Sequence, residues 1–172
     1  GPNDLWVDRK GGVYFTDPFY KRPYWTRTEK EIESENVYYL SPDRKSLTVV
    51  MDGFTRPNGI VGSPDGKLLY VADIGAGKTF AFTINDDGTL ADRRVFTEMG
   101  SDGMTLDSKR NLYLTGKGVT VFDPSGKRIG HIPIAEPWTA NVCFGGKNGK
   151  TLFVTASTAV YTVDMKVHGA GY

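Results

Sequence analysis

Residues 58–73 read NGIVGSPDGKLLYVAD: an Asn-Gly pair, a short apolar stretch, a Ser-Pro-Asp-Gly turn and a second β-prone stretch. This segment decides the fold because it recurs. NDLWVDRKGGVYFTD begins at Asn3, DGMTLDSKRNLYLTG at Asp102 and NVCFGGKNGKTLFVTA at Asn141. Each joins two β-prone stretches across a turn rich in Gly, Lys, Asp or Ser, which is the pattern of a β-hairpin. The four openers stand 55, 44 and 39 residues apart, in or near the roughly 40 to 50 residue period of propeller blades. A radial array starts its inner strands around one channel, so oxygen-bearing side chains far apart in sequence can converge there.

Outward from the repeat, period-two alternation continues through VYYL, LTVV, TFAFTI, VTVF and VYTV. The expected architecture is all-β, a single propeller domain over residues 1–172 with about four blades at 3–57, 58–101, 102–140 and 141–172. Unit one reads as strands near 4–8, 12–16, 36–40 and 47–51. Unit two reads as 59–62, 68–72, 79–84 and 93–97, and unit three as 103–106, 111–115, 118–122 and 128–133. Unit four offers only 141–144, 151–155 and 159–164, one strand short, and propellers commonly close by borrowing a strand from the other terminus. The tail KVHGAGY reads as an exit segment, and the unequal, incomplete units read as part of a larger ring.

Composition narrows the function classes. With 39% hydrophobic and 24% charged residues the chain is an ordinary globular protein. A net charge of +1 gives no field favouring nucleic acid or an anionic membrane. No apolar run approaches the ~20 residues of a membrane span. Cys143 is the only cysteine, which excludes an internal disulfide and leaves the compartment, cytoplasmic or periplasmic/secreted, open. Cys143, His131 and His168 stand apart without metal-type spacing and read as structural. ADIGAGKT has the look of a phosphate-binding loop, yet Ala72 stands where that motif needs Gly and no helix pattern follows.

Asn3, Asn58 and Asp102 form the first constellation. Two amide carbonyls and a carboxylate make a hard, oxygen-only ligand set suited to Ca²⁺, Mg²⁺ or Mn²⁺. Ca²⁺ is the first expectation, with Mg²⁺, Mn²⁺ or Zn²⁺ as alternatives. Asp4 could orient Asn3, and Asp73 at the channel mouth could meet substrate hydroxyls. The insertion DPFYKRPYWTRTEKEIESEN, residues 17–36, is longer than a hairpin needs. It reads either as a flap packing Tyr20, Tyr24 and Trp25 on the propeller face or as a lid that brings Tyr24 and Trp25 to substrate.

The segments PNDLWVDRKGGVYFTDP, RPNGIVGSPDGKLLYVAD, SDGMTLDSKRNLYLTG and CFGGKNGKTLFVTA resemble the SMP-30/gluconolactonase family of six-bladed propeller lactonases. The resemblance spans nearly the whole chain. It implies one divalent ion in the channel held by Asn3, by Asn58 of the PNG turn and by Asp102 of the DGM turn, with Asp102 also the general base. The family's further Glu ligand belongs to two N-terminal blades that have no counterpart here. The implied reaction is hydrolysis of a sugar lactone. Other readings are a different propeller hydrolase, acting on organophosphates or aryl-ester lactones, and a propeller piece that binds partners. Open blade edges would favour self-association.

Overall fold

The computed structural model describes residues 1–171. Among them are four antiparallel sheets, each a meander in sequence order. The first holds β1 (Leu5–Val7), β2 (Val13–Asp17), β3 (Glu35–Leu40) and β4 (Leu47–Phe54). The second holds β5 (Pro57–Gly62), β6 (Leu68–Asp73), β7 (Lys78–Ile84) and β8 (Leu90–Thr97). β9 (Met104–Leu106), β10 (Leu112–Gly116), β11 (Gly118–Phe122) and β12 (Arg128–Ile132) make the third, and β13 (Thr139–Gly145), β14 (Thr151–Ala156) and β15 (Ala159–Asp164) the fourth. This is a propeller arrangement of four blades, the last with three strands among the described residues. No helix among them is long and apolar enough to cross a membrane. Tyr172, the last residue of the expected fourth unit and of its tail, lies outside the described residues.

Alternation along each central strand explains how the sheets stack. In β6, Leu69 and Val71 pack with Tyr14, Val37 and Phe82 between the first and second sheets. Their neighbours Tyr70 and Ala72 pack with Leu112 and Leu114 between the second and third. Tyr113, on the opposite face of β10, joins Val142, Leu152 and Val154 between the third and fourth. A strand covered on both faces must be apolar at nearly every position, and LLYVA and LYL are. Fully burying one such Leu or Val stabilises by about 1.5 to 3 kcal/mol.

The hairpins are fixed by carboxylates. Asp8 Oδ1 accepts the N–H groups of Lys10 and Gly12, both at 2.8 Å, while Oδ2 accepts the Tyr39 hydroxyl at 2.9 Å. Asp107 does the same two repeats later, accepting from the N–H groups of Lys109 and Asn111 and from the Tyr113 hydroxyl. Burial, with the neighbouring carboxylate adding to it, pushes the Tyr39 and Tyr113 hydroxyls up from their ordinary range, Tyr39 to about 12.

Most strands lie within two residues of their expected limits, but β4 and β8 run three residues further. β4 continues past residue 51 to Phe54 with Gly53 at φ 71°, and β8 begins at Leu90 rather than 93 with Asp92 at φ 54°. Both are strands whose pairing register shifts, and such irregularities interrupt the alternation from which strands are read. The tail also departs from expectation. Instead of leaving the fold, it returns to the third sheet: the Ser108 N–H donates to the His168 carbonyl at 2.8 Å and the Ala170 N–H to the Leu106 carbonyl at 2.9 Å.

Candidate functional site

The strand starts converge because of two small devices, a threonine and a glycine. Thr16, at the end of VYFT, donates its hydroxyl to the Asn58 carbonyl of the next sheet at 2.8 Å. Thr115, at the end of LYLT, donates likewise to the Ala140 carbonyl at 3.1 Å. Both threonines are fully buried. The second sheet has Ala72 at this place, and its seam with the third is held by the Gly59 N–H to the Ser101 carbonyl, at 3.5 Å.

Glycine then permits the approach. A Cβ at residue 59 would lie 2.5 Å from the Asp102 carbonyl oxygen, and one at residue 103 would overlap the Asn141 side chain. Neither glycine adopts a positive φ. The Asn-Gly and Asp-Gly pairs at the openers are therefore close-approach sites at strand starts rather than turns.

These contacts correct the register of the fourth repeat. The N–H groups of Asp4, Gly103 and Asn141 each donate to the threonine hydroxyl of the partner strand, at 3.2, 2.9 and 3.0 Å. Asn141 is thus the counterpart of Asp4 and Gly103, and Ala140 is the counterpart of Asn3, Asn58 and Asp102. The sequence alignment by its polar opener is one residue out in this sheet, and the matching position carries no oxygen.

Asn3, Asn58 and Asp102 do come to one cleft of about 310 Å³, which they line with Tyr20, Arg22, Ile74 and Trp138. Asn58 is only 3% exposed. Its Nδ2 donates to the Tyr20 hydroxyl at 2.6 Å, while its Oδ1 is buried without a hydrogen-bond partner. A buried amide oxygen left unpaired costs about 1 to 3 kcal/mol, so an electropositive partner at that point would be welcome. Asp102 Oδ2 accepts the indole N–H of Trp138 at 3.0 Å. Asp4 lies close by: its Oδ1 accepts the Leu5 N–H and its Oδ2 the Ile60 N–H of the second sheet. Burial foremost, with the Asp102 charge added, holds the Asp4 carboxyl above its ordinary range despite those two donors.

The other residues singled out from sequence lie elsewhere. Asp73 does not line the cleft; its carboxylate accepts the N–H groups of Thr55, Arg56 and Ala76 at 2.8, 2.8 and 3.1 Å and so fixes two loops. Tyr24 is 79% exposed. Trp25 packs edge-on against Phe19 with Arg27 over its ring. Of the long insertion, it is Tyr20 and Arg22 that reach the cleft. Tyr20 was legible as an aromatic of that loop but not as a neighbour of Asn58, and Trp138 and Arg22 carried no motif.

The cleft's chemistry is narrow. Among the described residues no group of three or more His, Cys, Asp or Glu side chains is placed to hold a metal ion. A cation there would rely on amide oxygens beside Asp102, and the unpaired Asn58 Oδ1 fits that demand for a hard, oxygen-seeking ion.

Four stacked sheets, three of them with polar strand starts on one cleft, define a β-propeller arrangement. The family model described as SMP-30/Gluconolactonase/LRE-like region matches residues 1–158. The chain belongs to this family. It is 34% identical to a gluconolactonase of Zymomonas mobilis, over 98% of this chain and 51% of the relative. It is 36% identical to the lactonase drp35 of Staphylococcus haemolyticus, over 76% of this chain and 41% of that one. A solved gluconolactonase from Xanthomonas campestris superimposes with a TM-score of 0.85 at 34% identity, over 95% of this chain and 56% of the other. The chain spans about half the length of the curated relatives it matches.

Proposed function

We propose that the protein is a metal-dependent lactonase that opens a sugar lactone, such as glucono-1,5-lactone, to the aldonic acid. One observation carries the reading: the buried, unpartnered Oδ1 of Asn58 on the cleft that Asn3 and Asp102 also line. These three residues would hold a divalent ion, calcium first by the hardness of its ligands. Bound there, the ion would supply the positive charge that polarises a lactone carbonyl.

The chain's own groups account for the proton. Asp102 has one carboxylate oxygen held by the Trp138 indole N–H, and its other oxygen, which would also face the ion, has a second lone pair to take a proton from the attacking water. Water adds to the carbonyl carbon, the ring C–O bond breaks, and the ring oxygen leaves as a hydroxyl on receiving the proton. Arg22, on the same cleft, places a permanent positive charge beside the carboxylate that forms.

The test is hydrolysis of glucono-1,5-lactone followed by acid release at constant pH, with a phosphotriester assayed in parallel. Asp102→Ala is expected to lower the lactone rate by at least about 100-fold, and EDTA to abolish it until Ca²⁺ is restored. Full activity under EDTA would remove the metal from the reading. Turnover of the phosphotriester alone would remove the lactone.

A further inference from the structure

We infer that Tyr20 is a positioning residue: its hydroxyl captures the Asn58 Nδ2–H and thereby turns Asn58 Oδ1 into the cleft as a cation ligand. The inference rests on the metal reading above and names the group on which the amide's usefulness depends.

An asparagine amide presents an oxygen acceptor and two N–H donors across nearly identical shapes. Flipped by a half turn, it would aim N–H groups at the cleft and repel a cation. Something must choose between the two orientations. The Tyr20 hydroxyl stands where it can do so: 2.6 Å from Nδ2, it is the polar partner of the Asn58 side chain, while Oδ1 has none. A phenolic oxygen can accept in this position.

Tyr20 is itself held in place, which a positioning residue requires. The Arg56 guanidinium lies 5.3 Å from its ring centroid and that of Arg22 lies 5.4 Å away, within the range of cation–π attraction. Arg56 is anchored in turn, because its backbone N–H donates to Asp73 at 2.8 Å. The buried carboxylate of Asp73 thus acts on the site at two removes, through Arg56 and Tyr20, without touching it. Groups that orient a metal ligand from behind typically change metal affinity by about 10- to 100-fold when removed.

The experiment is calorimetric titration of the chain with Ca²⁺ in four forms: wild type, Tyr20→Phe, Asn58→Asp and the double variant. Tyr20→Phe keeps the ring between the two arginines and loses only the hydroxyl, so a urea midpoint near that of wild type is expected. Affinity is expected to fall by about 10-fold or more in Tyr20→Phe. In the Asn58→Asp background the same change should have no effect, since a carboxylate offers an oxygen in either orientation; a general packing defect would weaken both backgrounds alike. A second readout needs no metal: the Asn58 side-chain N–H protons should exchange slowly in the wild-type NMR spectrum and quickly in Tyr20→Phe. Equal Ca²⁺ affinity in wild type and Tyr20→Phe would overturn the inference and leave the lactonase reading standing. A wild-type chain that gives no Ca²⁺ signal would overturn the metal reading, and this inference with it.

Discussion

At one height of the channel the second sheet presents Asn58 and the fourth presents Ala140. Their backbones are treated alike, each carbonyl accepting a buried threonine hydroxyl from the preceding sheet. Their side chains could hardly differ more in what they can bind. The repeat therefore supplies positions, and single substitutions decide which positions carry chemistry. That separation explains how the fourth sheet can keep the geometry of the others without a ligand oxygen at the shared level.

The comparison can be broken hardest at the glycines. In Gly59→Ala the new methyl group meets the Asp102 backbone oxygen, which cannot rotate aside, so the second and third sheets must part. A loss of about 3 kcal/mol, at the upper end for overpacking, is expected in urea unfolding. Next come the threonines. Thr16→Val takes from the Asp4 N–H and the buried Asn58 carbonyl the hydroxyl that partners both and is expected to cost about 1 to 3 kcal/mol. Thr115→Val should cost less, about 1 kcal/mol, since the Gly103 N–H and the Ala140 carbonyl keep their direct bond to each other at 2.8 Å. A larger loss in Thr115→Val would show that its hydroxyl, and not the direct backbone bond, holds the seam between the third and fourth sheets.

Ala140→Asn sharpens the comparison from the other side. It installs an amide at the level of Asn58, and the expected outcome is unchanged stability, within about 0.5 kcal/mol, with tighter Ca²⁺ binding by calorimetry. The smallest effect concerns pH. The Tyr39 hydroxyl ionises near 10 in the unfolded chain and is pushed up to about 12 in the fold, so the folded state favours its neutral form. That contribution is complete below pH 10 and is lost as pH rises toward 12. Urea unfolding at pH 9 and pH 11 should show the decline, and Tyr39→Phe should flatten part of it.

Much of this architecture was legible in the chain. Strands such as LLYVA and LYL declare burial on both faces, and the turns SPDG and DPSG carry their own carboxylate. Convergence of Asn3, Asn58 and Asp102 followed from period alone. What could not be read was which polar opener shares a level with which, because Asn141 mimics its predecessors one residue late and only the bond to Thr155 exposes the shift. Nor was the wall of the cleft readable. Trp138 meets Asp102 across 36 residues and Tyr20 meets Asn58 across 38, and no local pattern encodes such meetings. Asp73, plausible as a substrate contact from its place at a strand end, is consumed by three backbone donors.

The returning tail has a mechanical consequence. β9 pairs with β10 along one side only, and residues 168–170 lie against its other margin through Ser108, Asp107 and Leu106. A short innermost strand is thereby sandwiched between two neighbours, and that margin is denied to any foreign chain seeking a place to pair. The same loop of backbone reaches Gly149 in the fourth sheet, whose carbonyl takes the Gly169 N–H at 3.0 Å. Tension applied at the C-terminal end would be shared by the third and fourth sheets together, so they should yield as one body rather than peel apart in turn.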